Sequence, residues 1–150
     1  MLGVLGLSGG MKHAPRVDVV VRRFEDLVAW QLASEVKRET YAIVARTTAV
    51  SDFKFRDQIK DAAASAPSAI AEGFERYHHP EFAYFLGVAK ASLGETQNHL
   101  LDGIERRHWT MDDIDAILRM AARAKGAVLG LLKHVRSTDA PGPPRRSRRR

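Results

Sequence analysis

The chain has no cysteine. That absence removes a disulfide scaffold, a thiolate metal site and a cysteine nucleophile, and it fits an intracellular, cytoplasmic protein. No run of 18 uncharged apolar residues occurs, so no membrane span is expected. There is no GxxxxGK[ST], no strand leading into a GxGxxG and no HExxH, which leaves out phosphate-cradling loops and zincin chemistry. The opening stretch MLGVLGLSGG lacks a basic leader and is short for a signal-peptide core. Arg22 and Arg23 precede Phe24, Glu25 and Asp26 rather than an apolar run, which fits a twin-arginine signal poorly. Secretion is not expected, and Met11 is an alternative start.

What is present suits a single folded domain: 150 residues, 45% hydrophobic and 28% charged, too apolar for a wholly disordered chain. The net charge of +6 is unevenly placed. Lys12, Arg16, Arg22 and Arg23 against Asp18 leave residues 1–23 at +3, and five arginines against Asp139 leave residues 137–150 at +4. The body between them is therefore at −1. A basic groove on the body is disfavoured, and any nucleic-acid contact falls to local patches or to the ends.

From Phe24 onward the apolar pattern is helical, with three interruptions. The first predicted helix spans 24–47, with Leu27, Trp30, Ala33, Val36, Thr40, Ile43 and Val44 near one face. Ser51 is the expected cap of the second, which presents Phe55, Ile59, Ala62, Ala66, Ile70 and Phe74 and ends near Arg76. Pro67 lies inside it, where a kink rather than a break is expected because the periodicity resumes. Pro80 and Glu81 suit the first turn of a third helix, with Phe82, Phe85, Leu86, Ala89, Leu93, Thr96, Leu100 and Ile104 on its face and an end near His108. Thr110 and Asp113 form a capping-box pattern for a fourth, whose repeat runs through Ile114, Ile117, Ala121, Ala124, Val128, Leu131 and Val135.

The expected fold is thus all-α, an antiparallel up-down-up-down four-helix bundle over 24–136, with a flexible extension at 1–23 and a disordered Arg/Pro-rich tail at 137–150. Val28, Leu32, Leu118, Leu129 and Leu132 lie off the narrow seam, and a second apolar face suggests self-association.

Bundles can hold two metal ions between Glu-x-x-His pairs on facing helices. That spacing occurs at Glu75 with His78 and at Glu105 with His108. The two pairs fall at opposite ends of such a bundle, about 40 Å apart, and cannot share an ion. No metal or other cofactor is expected, although a metal- or ligand-dependent bundle enzyme is the alternative reading. Glu95 and His99 are one turn apart and suit a solvated contact. His78 and His79 suit a loop and cap. Ser65, Ser68 and Ser92 lie in helical patterns without a strand-to-helix elbow or an assignable base, so no catalytic residue is expected. The candidate nucleic-acid contacts are Arg106 and Arg107 at a helix end and Arg145, Arg146, Arg148, Arg149 and Arg150 in the tail. Arg119, Arg123 and Lys133 recur opposite the apolar stripe of the fourth helix, as a solvated face would.

Three segments carry a resemblance: FEDLVAWQLASEV at 24–36, QIKDAAASAPSAIAEGFER at 58–76 and EFAYFLGVAKASLGETQNHL at 81–100. They resemble the four-helix-bundle proteins first noticed in intervening sequences of bacterial 23S ribosomal RNA genes. The shared features are Leu27 and Trp30, then Ser65, Pro67, Ile70, Ala71, Glu72 and Gly73, then Glu81, Phe82, Phe85, Leu86, Ser92, Leu93 and Glu95. Ala69 stands where the family pattern has Asn, and Ala91 where Gly is common. The resemblance implies a bundle assembled as a ring-like homopentamer without catalytic activity. It also implies kinship with Avd, the accessory protein of diversity-generating retroelements, and through it association with RNA or with a reverse transcriptase ribonucleoprotein. Gly73 would let a neighbouring helix approach closely, and Glu72 would accept bonds within or between subunits or join a surface salt bridge.

Overall fold

The computed structural model describes residues 21–76 and 78–137. They form four long helices: α1 over Val28–Ala45, α2 over Phe53–Glu75, α3 over His79–Glu105 and α4 over Met111–Ser137. Short 3-10 turns at Phe24–Asp26 and Thr48–Ser51 precede α1 and α2. There is no β-strand among the described residues. Contacts run in a closed cycle, α1 on α2, α2 on α3, α3 on α4 and α4 back on α1, with the α2–α3 pairing the most extensive.

The three- and four-residue spacing places one stripe of each helix in a common core. Ala33, Val36, Thr40 and Ile43 of α1 meet Phe55, Ile59, Ala66 and Ile70 of α2, Leu86, Ala89, Leu93 and Leu100 of α3, and Ile114, Ala121, Ala124 and Val128 of α4, all nearly inaccessible to solvent. Each buried Leu, Ile or Phe contributes about 1.5–3 kcal/mol. The small side chains of the alanines among them permit helix axes to approach closely. α2 continues unbroken through Pro67, whose ring is buried.

Helix ends depart from the sequence expectations in ways with local causes. Residues 24–27 do not belong to α1. Leu27 takes an extended backbone, φ −73° and ψ 125°, and its side chain is buried. Phe24 meets Trp30 edge to face at 5.3 Å. Ser51 does not cap α2; it closes the preceding 3-10 turn, and Asp52 takes the N-cap position without a side-chain capping bond. The Asp52 carboxylate is engaged elsewhere, with His108 and Arg106.

α3 begins at His79 with Pro80 in its first turn, as a missing amide donor permits. It stops at Glu105, short of His108. Arg107 sits at φ 61°, and its N–H donates to the Ile104 carbonyl while that of His108 donates to the Gly103 carbonyl. This pair of bonds is a Schellman termination with arginine in the left-handed position that glycine usually fills.

α4 begins with the expected capping box. The Thr110 N–H and hydroxyl both donate to Asp113 Oδ2, at 2.8 and 3.0 Å, and the Asp113 N–H reaches back to Thr110 Oγ1 at 3.4 Å. Those donors and the nearby Arg46 hold the Asp113 carboxyl below its ordinary range.

Candidate functional site

The motif residues fall on the α1 entry and the α2–α3 seam. Leu27 is buried and Trp30 half-buried at the entry to α1. Across the seam, the Ser92 hydroxyl donates to Ser65 Oγ at 2.9 Å, so two motif serines 27 positions apart satisfy each other inside a largely apolar contact. The Thr96 hydroxyl donates to the Ser92 carbonyl at 2.8 Å. Pro67 and Ile70 are buried on the same side of α2.

Gly73 faces two motif aromatics. A β-carbon there would lie 2.7 Å from Phe85 Cβ and 2.9 Å from Phe82 Cδ2, closer than any side chain tolerates. The glycine therefore sets the approach of α3 to α2 at this level. Glu72 accepts from Arg76 at 2.8 Å one turn on, both half-exposed, a contact of small energetic weight. Arg76 also lies over the Phe85 ring at 5.2 Å. Glu95 approaches His99 Nε2 at 3.5 Å. Ala69, the residue in place of the family Asn, is buried.

The two arginines at the end of α3 differ. Arg106 is committed internally. Its Nε donates to Asp102 at 2.8 Å, its Nη1 to Asp52 at 3.2 Å, and its guanidinium lies over the Phe55 ring at 4.9 Å. The carboxylates, Asp102 first, stabilise its charged form. Arg107 is exposed, and its guanidinium makes no hydrogen bond or ion pair with the described residues. Arg145, Arg146, Arg148, Arg149 and Arg150 lie outside the described residues.

Sequence reading missed a junction between two connections. His108 Nε2 lies 2.9 Å from Asp52 Oδ2 and its Nδ1 2.8 Å from Thr48 Oγ1. With the proton on Nε2, the imidazole donates to the carboxylate and accepts from the hydroxyl. His108, and secondarily Arg106, hold the Asp52 carboxyl below its ordinary range. The order hydroxyl, imidazole, carboxylate is that of a nucleophilic triad. However, the turn amides of Val50 and Asp52 are spent on the carbonyls of Thr47 and Ala49, so they are not presented together to an oxyanion. Asp52 is also shared with Arg106. The arrangement binds the α1–α2 connection to the segment after α3.

Trp109 completes this junction. It is 5% exposed, its ring covers Gly103, and its Nε1 donates to the Leu100 carbonyl at 2.7 Å. One signal was available: Trp109 stands just before the Thr110 cap and Ile114 four residues after it, the two positions of a hydrophobic staple. Both are buried.

Among the described residues, no group of three or more His, Asp or Glu side chains is placed to hold a metal ion. Among the same residues, no helix is long and apolar enough to cross a membrane.

Residues 25–128 match the family model described as 23S rRNA-intervening sequence protein. No curated protein matches the chain.

Proposed function

Because the chain belongs to the 23S rRNA-intervening sequence protein family, we propose that it is a non-enzymatic scaffold associated with RNA or a ribonucleoprotein, built as an up-down-up-down bundle and assembled as a ring-like homopentamer. The observation that carries the RNA reading is Arg107. A left-handed backbone disfavours every side chain with a β-carbon, so glycine would serve the helix end better. An arginine whose backbone is held there at φ 61°, and whose guanidinium is exposed and makes no hydrogen bond or ion pair with the described residues, offers a cation to a phosphate. The five tail arginines supply further phosphate contacts in every subunit, and assembly multiplies them by linkage. The serine pair and the packed core favour a scaffold over a reaction chamber.

The test is titration of a fluorescently labelled 23S rRNA intervening-sequence stem with the full chain and with a variant lacking residues 141–150. Deletion is expected to weaken binding markedly at low salt and to leave the number of subunits in the native assembly unchanged. Equal affinity of the two proteins would refute the role of the tail.

A further inference from the structure

Steps of three and four residues lead along the outward face of α4 from Asp112 to Arg136, opposite the stripe that packs in the core. Among its residues Asp115 is half-buried and the others exposed. Asp112 and Asp115 occupy its beginning and Lys133 and Arg136 its end, with Arg119, which pairs with Asp115 at 3.1 Å within the chain, and then Ala122, Gly126 and Leu129 between them. Leu129 is 42% exposed, and a shallow groove runs past it along Leu132, Lys133 and Arg136. A β-carbon at Gly126 would meet nothing within 4 Å. A glycine inside a helix weakens it relative to alanine, and nothing among the described residues requires one here.

We propose that this face is a two-fold interface, in which α4 packs antiparallel against α4 of a second copy of this chain. The charge layout selects that occupant and that direction. With the axis at the level of Ala124, Asp112 lies opposite the partner's Arg136, Asp115 opposite the partner's Lys133, and Ala122 opposite the partner's Gly126. Each pairing occurs twice, as an isologous contact demands. The two smallest side chains meet at the centre, where the backbones come closest. Arg119 lies opposite the partner's Leu129, its stem covering an otherwise exposed apolar side chain. A parallel pairing would set acid against acid at one end and base against base at the other. The helix dipole by itself favours acids in the first turn and bases in the last, but it accounts for neither Gly126 nor Leu129. The two-fold contact uses this face alone and stands without the proposed ring; if the ring forms through other faces, the contact joins ring to ring.

The chain has no cysteine of its own, which makes disulfide trapping clean. Full-length Ala122→Cys and Gly126→Cys proteins are oxidised separately and as a mixture, in RNA-free buffer so that the outcome is independent of nucleic-acid binding. The mixture is expected to yield covalent dimers of mixed composition, and neither protein alone to cross-link comparably. In parallel, Lys133→Glu with Arg136→Glu is expected to halve the native mass. Adding Asp112→Lys and Asp115→Lys is expected to restore it by exchanging the signs on both sides. The proposal is overturned by an absence of mixed dimers, by Ala122→Cys dimers that form on their own in preference, or by an unchanged mass in the folded two-site reversal.

Discussion

Substituting Gly103 by alanine tests the junction at the end of α3 most sharply, because two opposing effects can be set against each other. Gly103 lies within α3, where alanine improves helix propensity by about 1 kcal/mol. Against that, the new β-carbon would enter the indole of Trp109. The obstructing atoms belong to a rigid ring that is 5% exposed, so the clash cannot be relieved by turning a flexible chain end. Overpacking of this kind costs about 1–3 kcal/mol. Displacing the indole also strains or breaks the 2.7 Å bond to the Leu100 carbonyl, a further loss of about 1 kcal/mol. The net expectation is a destabilisation of about 2 kcal/mol. In a Trp109→Leu background the obstruction is gone, and the same alanine should stabilise by up to about 1 kcal/mol. The coupling energy between the two sites is then about 3 kcal/mol. Urea unfolding followed by far-UV circular dichroism, at equal chain concentration for all four proteins, measures each corner of the cycle. Trp109 emission, isolated by Trp30→Phe, reports whether the folded indole has moved toward solvent. A Gly103→Ala protein more stable than the parent, with unshifted emission, would refute the packing argument.

Arg107→Gly should raise stability by up to about 1 kcal/mol, because it relieves the left-handed backbone, partly offset by the freer unfolded chain. It should also weaken RNA binding, so urea unfolding and anisotropy titration of the same protein should move in opposite directions. Asp52 contributes through a lowered pKa. Its contribution is present above the unfolded carboxyl value, about 3.9, and is lost as pH falls through the lower folded value. Asp52→Asn should therefore be less stable than the parent at neutral pH and converge with it in strong acid, as measured by denaturant unfolding across pH.

The four helices were legible because burial leaves a periodic trace. Ile114, Ile117, Ala121, Ala124, Val128, Leu131 and Val135 were read as one stripe and all lie in the core. The Thr110–Asp113 cap was legible because both partners are close in sequence. The junction was not: Thr48, Asp52 and His108 are brought together across 60 and 56 positions, and nothing local marks such a contact. A separation of 27 positions likewise hid the bond between Ser65 and Ser92, although each serine lies in its own motif. Ser51 was read as the cap because the competing turn at Thr48–Ser51 carries no glycine or proline. The end of α3 was overestimated for a related reason, since Arg107 carries none of the glycine signal that a left-handed termination normally gives.

The claim on which the account turns is that this bundle engages RNA through phosphates rather than through a pocket. It is tested most directly by the salt dependence of full-length binding to a 23S rRNA intervening-sequence stem. If the five tail arginines each neutralise a phosphate, log affinity should fall against log salt with a slope of about −4 to −5 on a duplex. No binding at low salt, or an affinity that does not change with salt, would contradict it.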